Sequence, residues 1–291
     1  MPELTLAELA ERFLDRHAAV RSPRTVRSIR ERLQRPLAAY GNVPLPEFER
    51  MSGELADFAA SLPPRYRYSV MNALRQTLAA GVRWGNLTTN PAKDAGPNPQ
   101  PEPRAIRAYT TDELALLEDE LGPRYGPIVP FAAATGLRPA EWAALERGQI
   151  DRGRRLLTVR GTKTTGSRRE VPLTQTALAA LERLPARLDT AYVFSGPRGR
   201  PLHLNNFRRR VWAPAVGASG IPRPARLYDL RSTFATNALA RGLTLHELAR
   251  VMGTSVRMIE LHYGTLVEGA NEALLARLEQ PEQAERQGLG H

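Results

Sequence analysis

The 291 residues predict a mainly α-helical chain in two domains, the first all helical, the second mixed α+β with a small antiparallel sheet. Three observations carry that expectation. Thr5-Leu6-Ala7-Glu8, Thr110-Thr111-Asp112-Glu113 and Thr244-Leu245-His246-Glu247 each set a threonine three residues ahead of a glutamate, the signature of a capped helix start. Leu156–Arg160 and Arg168–Leu173 read as two strands around a turn at Gly161–Gly166. Prolines crowd one stretch (Pro91, Pro97, Pro99, Pro101, Pro103) and leave a length on either side able to bury a core.

Residues 1–90 form the first expected domain. Leu6, Leu9, Phe13 and Leu14 share the apolar side of its first helix, and Ser22-Pro23 opens a second with a cap and a proline at its first position. Arg21, Arg24, Arg27 and Arg30 recur every three residues along it, opposed only by Glu31. Simple solvation is the plain reading of such a face, but solvated helices usually alternate signs and this pattern suits phosphate contacts better. Further helices are expected over Glu47–Ser61 and Arg65–Trp84, the latter with Arg65 and Arg67 at its start. Residues 91–107 read as a proline-rich linker, extended and unable to be helical, on which two domains could encircle a duplex.

Residues 108–280 form the second expected domain, followed by a polar tail over 281–291. Leu114, Leu117 and Leu121 line its opening helix; a helix over Tyr125–Thr135 stops at Gly136, and Pro139 begins the next, which fixes Arg138 on a corner. Lys163 stands in the hairpin turn and Arg168 starts the returning strand. A helix over Gln175–Leu184, a short strand Tyr192-Val193-Phe194 and a basic helix over Asn205–Val216, with Arg208, Arg209 and Arg210, come next. From Leu227 to Leu266 three short helices follow, punctuated by Gly242 and Gly253. They place Arg231 at one end and Tyr263 at the other, on inward faces. Glu268–Gln280 reads as an amphipathic helix with Leu274, Leu275 and Leu278 on one side.

Composition narrows the chemistry. The net charge is +11 and the pI about 10.7, and the charge is shared, +4 over 1–99 and +7 over 100–291. Both halves would touch a polyanion, most simply nucleic acid. Lys93 and Lys163 are the only lysines, so arginine supplies the other 39 of 41 basic residues. Zero cysteines excludes disulfides, thiol catalysis and Cys-ligated zinc, and the five histidines show no metal-ligand spacing, so neither metal nor cofactor is expected. With no apolar run near ~18 residues and no signal-peptide pattern, the chain is expected to be cytoplasmic and away from membranes.

The order Leu-Arg-Ser-Thr-Phe-Ala-Thr, then Met-Gly-Thr-Ser, then Tyr263 nine residues after Thr254, resembles the tyrosine recombinases, the family of phage integrases and Xer-type enzymes. That family's pattern is His-x-Leu-Arg-His, then Leu-Gly-His-Ser, then a nucleophilic tyrosine. Ala-Thr-Gly-Leu-Arg-Pro-Ala-Glu, around Arg138, resembles its first catalytic-arginine box. The resemblance covers nearly the whole chain. It implies a core-binding (SAM-like) first domain, a catalytic second domain, Arg138 and Arg231 on the phosphate, Lys163 as hairpin general acid and Tyr263 as nucleophile. It also implies a 3′-phosphotyrosyl link, a Holliday junction, a monomer in solution and a homotetramer on double-stranded DNA in a bacterial or phage nucleoid. A directionality factor is the accessory partner such a reaction can call on, and the arm-binding domain of the larger integrases is not expected here. Tyr228 and Thr254 depart from the pattern, standing where it has histidines.

Read from the residues alone, two arginines, a lysine and a tyrosine suit phosphoryl transfer to a phenol. The guanidiniums can hold non-bridging oxygens, the phenol can attack phosphorus, and an amine releases a proton more readily than a guanidinium. Neither tyrosine nor threonine is a useful base near neutral pH, so Tyr228 and Thr254 are expected to hydrogen-bond, with the nucleophile's proton leaving to phosphate or water. A helix-turn-helix regulator (residues 247–255), a non-cleaving DNA-binding protein of this fold and a topoisomerase-like relaxing enzyme are the alternatives.

Overall fold

The computed structural model describes residues 3–102, 106–161 and 168–268, with side chains as far as Tyr263. Contacts divide the chain into two units, Met1–Arg104 and Ala105–His291.

In the first unit α1 (Leu6–Ala18), α2 (Pro23–Tyr40), α3 (Leu45–Phe48), α4 (Ser52–Ser61), α5 (Pro64–Arg83) and α6 (Pro91–Asp94) follow one another. Thr5 and Glu8 cap α1 reciprocally, and Ser22 accepts from the Thr25 amide at the head of α2. Leu6, Leu9 and Phe13 of α1, Leu33 of α2 and Leu74 and Leu78 of α5 meet in the core. Two expectations give way here. The single helix expected over Glu47–Ser61 is two, because Met51 leaves helical geometry (φ −90°, ψ 36°). Glu49 is meanwhile drawn onto the Thr88 and Thr89 amides at 2.6 and 2.5 Å. The stretch expected to be an extended linker, unable to be helical, begins as α6, since Pro91 occupies a first-turn position where its missing N–H costs nothing. Arg75 donates from Nε to the Ala92 carbonyl at 2.8 Å and from Nη2 to the Gly96 carbonyl, fastening the segment to α5.

The second unit runs α7 (Thr111–Tyr125), α8 (Ile128–Thr135), α9 (Pro139–Ala143), β1 (Ile150–Asp151), β2 (Leu156–Val159), β3 (Arg169–Pro172), α10 (Gln175–Glu182), α11 (Leu204–Phe207), α12 (Ala213–Ala218), α13 (Asp229–Ala240), α14 (Leu245–Met252) and α15 (Val256–Glu268). Its sheet is antiparallel in the order β1-β2-β3, with Leu157 opposite Val171 and Val159 opposite Arg169. Apolar α8 packs on α7, α10 and α13, burying Ile128, Val129, Phe131 and Ala132. Trp142 stands edge-on to Phe194 and Phe207 in the same core. A second cluster joins Ala235 and Ala238 of α13, Leu248 and Met252 of α14, and Ile259 and Tyr263 of α15.

The expected strand Tyr192–Phe194 is reduced to one bridge between Tyr192 and Glu146, so the sheet gains its third strand from Ile150–Asp151 instead. The basic helix over Asn205–Val216 is interrupted by a π-helical turn at Arg208–Trp212. The expected terminal helix reaching Gln280, the tail and Lys163 lie outside the described residues. Among the described residues the fold is mostly helical with one three-stranded antiparallel sheet, as expected.

Candidate active site

The C-terminal end of α14 is the focus of the second unit. The last carbonyls of a helix have no intrahelical donor and carry the negative end of its dipole. Three guanidiniums take three successive ones: Arg169 Nε donates to Val251 at 2.7 Å, Arg231 Nη2 to Met252 at 2.8 Å and Arg138 Nη2 to Gly253 at 2.5 Å. They arrive from β3, α13 and the N-cap of α9.

Two glycines permit this convergence. Gly253 ends α14 in the left-handed region (φ 62°), and a Cβ there would lie 2.8 Å from Arg169. Gly136 ends α8 likewise (φ 63°), a Cβ there would lie 2.3 Å from the Phe234 ring, and its carbonyl accepts from Arg231 Nη1 at 2.5 Å.

Glu141 joins two of the three cations. It accepts from Arg169 Nη1 and Nη2 at 3.0 and 2.8 Å, and from Arg138 Nη1 and backbone N, both at 2.8 Å. Burial pushes its carboxyl up, but the hydrogen bonds from Arg169 and Arg138 and their charge outweigh it and hold it below the ordinary range. Three guanidiniums against this carboxylate leave about two positive charges at the helix end. Arg231 is 2% exposed, desolvation pulls its guanidinium below its ordinary value, and its buried Nε has no hydrogen-bond partner among the described residues. A buried cation with an unfilled donor is a place for an anion.

Tyr263 is 5% exposed, and its hydroxyl lies 3.3 Å from Ser232 Oγ, one residue beyond Arg231. Burial raises its phenol above the ordinary value, and the Ser232 hydrogen bond and the Arg231 charge offset that only in part. Tyr228 is half exposed at the head of α13, and half-buried Thr254 follows Gly253, its amide on the Ala249 carbonyl at 3.0 Å. The His262 ring centre is 6.5 Å from that of Tyr263, and His203 caps α11, accepting from the Asn206 amide. Among the described residues no three His, Asp or Glu side chains are grouped to hold a metal ion, and no helix is long and apolar enough to cross a membrane.

The structure therefore gathers Arg138 and Arg231 on adjacent carbonyls, with Thr254 next in the chain and Tyr263 joined through Ser232. Lys163 belongs to the connection between the paired residues Val159 and Arg169. Arg169, Glu141 and Ser232 escaped the sequence reading. Each had a signal. Glu141 stands three residues after the Arg138 cap, Arg169 shares strand parity with inward Val171, and Ser232 is a third departure, occupying the last position of His-x-Leu-Arg-His.

The expected phosphate-contact residues fare differently. Arg21, just ahead of α2, and Arg24 and Arg27 on it are exposed, as is Arg30, which pairs with Glu11 at 2.7 Å. Arg65 is exposed over the Tyr66 ring. Arg67 is instead half-buried, its Nη2 on the Ala60 carbonyl at 3.1 Å, because its position in the first turn of α5 faces the end of α4. Arg168 is exposed beside buried Arg169, and Arg208, Arg209 and Arg210 are exposed on the π-helical turn.

Residues 110–265 match the model of the phage integrase family. The tyrosine recombinase XerC of Shewanella amazonensis is 30% identical over 266 residues, spanning 85% of this chain and 87% of the relative. The chain belongs to the phage integrase family of tyrosine recombinases. A structure of the Tn1549 transposon integrase with a circular intermediate DNA superposes with a TM-score of 0.77 at 17% identity, covering 95% of this chain and 100% of that one. The lambda integrase tetramer bound to a Holliday junction gives 0.73 at 18% identity, covering 87% of this chain and 78% of that one. Nothing in these similarities favours a helix-turn-helix regulator. The turn at residues 252–255 is moreover filled by the recombinase's own arginines.

Proposed function

We propose that this recombinase cuts and rejoins double-stranded DNA at specific sites through a covalent 3′-phosphotyrosyl intermediate. The observation that carries the reading is the pair Arg138 and Arg231 on adjacent carbonyls, one with a buried unfilled donor, beside a tyrosine hydroxyl held one residue along α13. The two guanidiniums take the non-bridging oxygens of the scissile phosphate and offset the charge that grows in the transition state. The Tyr263 oxygen bonds to phosphorus as the bond to the 5′ oxygen breaks, and Lys163 gives the leaving oxygen its proton. Thr254 donates to a phosphate oxygen, and Tyr228 orients Arg231 or the phosphate. The Tyr263 proton leaves to phosphate or water. Attack by the 5′ hydroxyl of another strand reverses each step, and the ester bond is conserved throughout, so no nucleotide is consumed.

The exposed arginines of α2, of the start of α5 and of the Arg208–Trp212 turn hold the duplex by its phosphates. Four copies act on two sites, as the lambda integrase tetramer on its junction suggests, with a directionality factor as the accessory partner and the nucleoid as the place of action. Tyr263→Phe removes one oxygen and should fold and bind DNA like the parent. Incubated with site DNA and resolved under denaturing conditions, it should leave no protein–DNA adduct; an adduct that persists means another residue is the nucleophile.

A further inference from the structure

Arg169 satisfies Glu141 with two hydrogen bonds of 3.0 and 2.8 Å while its Nε holds the Val251 carbonyl, and its side chain is 5% exposed. Arg138 reaches the same carboxylate with Nη1 and keeps Nη2 on Gly253. A carboxylate with four acceptor sites takes a bidentate guanidinium wherever one is offered. Arg169 is the guanidinium that cannot serve a substrate, since every one of its nitrogens is engaged and buried. Arg138 is the more exposed of the two, at 35% against 5%.

We infer that Arg169 is a positioning residue for Arg138: by occupying both oxygens of Glu141 it stops that carboxylate from capturing and neutralising the guanidinium meant for the scissile phosphate. The inference rests on the reading of Arg138 as a phosphate-binding residue. Without Arg169, Glu141 remains a largely buried carboxylate and its nearest donor is Arg138 at the N-cap of the same short helix. The fork of Arg138 then closes on both oxygens, leaves Gly253, and presents no free edge to DNA. The phosphate competes with an internal anion that does not dissociate.

The test compares single-turnover cleavage of saturated, pre-bound site DNA by Arg169→Met, Glu141→Gln, the double variant and Arg138→Ala. Losing one preorganised donor costs on the order of 10²–10³-fold in rate, so Arg169→Met should be slower by about 10²-fold with DNA affinity little changed. The double variant, with no carboxylate to capture Arg138, should recover to within about tenfold of Glu141→Gln alone. A pH series separates positioning from mere stability. Glu141 is faced by Arg138 on α9, Arg169 on β3, Arg231 on α13 and the end carbonyls of α14. In Arg169→Met its protonation releases Arg138, so the rate should climb, relative to the parent, as pH falls toward the carboxylate range. The double variant should show no such climb. If Arg169→Met proves unstable, the double variant, which buries no unpaired carboxylate, and Arg169→Lys, which keeps the charge but not the fork, carry the comparison. Arg169→Met cleaving within threefold of the parent, or a double variant no faster than Arg169→Met, overturns the inference. An Arg138→Ala variant that cleaves normally would instead overturn the reading of the site itself.

Discussion

Tyr263 is asked to act from a position where its acidity is weakened. Burial disfavours the phenolate, and the neighbouring charge and the Ser232 hydroxyl recover only part of the loss. Because the folded pKa lies above the ordinary phenol value, the reactive fraction grows as pH climbs towards it, so cleavage by pre-bound enzyme should rise through the alkaline range. It should show no limb near the free histidine value of about 6.5. Ser232→Ala removes a bond that lowers the phenol. The alkaline rise should then move to higher pH, and the rate below it should fall by about 2–10-fold, as loss of a hydrogen bond of about 0.5–1.5 kcal/mol implies. A histidine-like limb that vanishes in His262→Ala or His203→Ala would assign the proton to an imidazole. Part of this was legible in the chain: Arg138, Arg231 and Tyr263 stand out by their resemblance to the family's motifs, and Gly136 and Pro139 put the first on a corner. Ser232 could not be given a role, because only the packing of α15 against α13 brings a residue 31 positions away onto its hydroxyl.

At the scale of elements, the glycines that end α8 and α14 do more than stop helices. Gly136→Ala places a methyl group on the Phe234 ring and forces a left-handed residue to carry a Cβ, at about 1–2 kcal/mol for the backbone alone. A melting temperature lower by at least about 2–4 °C is expected, with the Arg231 carbonyl partner displaced and cleavage reduced beyond what stability explains. An unchanged melting temperature would show that α13 can retreat freely. Helix ends of this kind were readable because capping is local, with both partners within a few residues. Elements fixed by distant partners were not. Glu49 turns the chain at Met51 to serve amides some 40 residues on, the two-residue β1 has no period to detect, and α6 forms because Ala92 is buried under α4 and α5.

For the whole molecule, charge is spread over both units and carried almost wholly by arginine, so DNA affinity should depend steeply on salt. Each phosphate neutralised contributes about −0.9 to the slope of log K against log salt. Arg24→Ala with Arg27→Ala should flatten that slope by about 2 and weaken binding alike on specific and random duplexes. Arg67→Ala should change the slope less, since its guanidinium is half-buried with Nη2 on the Ala60 carbonyl. A slope unmoved by the double substitution would remove α2 from the DNA-binding surface. The division between the units falls within the proline-rich stretch 91–107, whereas the helix at its start could not be read: prolines mark where a helix is interrupted, not whether the residues between them are buried.

Three arginines clasping Val251, Met252 and Gly253 also decide where movement can occur. Everything up to the Gly253 carbonyl is pinned to these three side chains, and α15 begins at Val256. Thr254, its amide on the Ala249 carbonyl, and Ser255 are the link between the two helices. Tyr263 rides at the far end of a lever arm about 10 Å long, at about 1.5 Å per residue, so a swing of about 20° carries its oxygen about 4 Å. A rotation of that size at the link would part the phenol from Ser232 and leave the three arginine–carbonyl contacts unchanged.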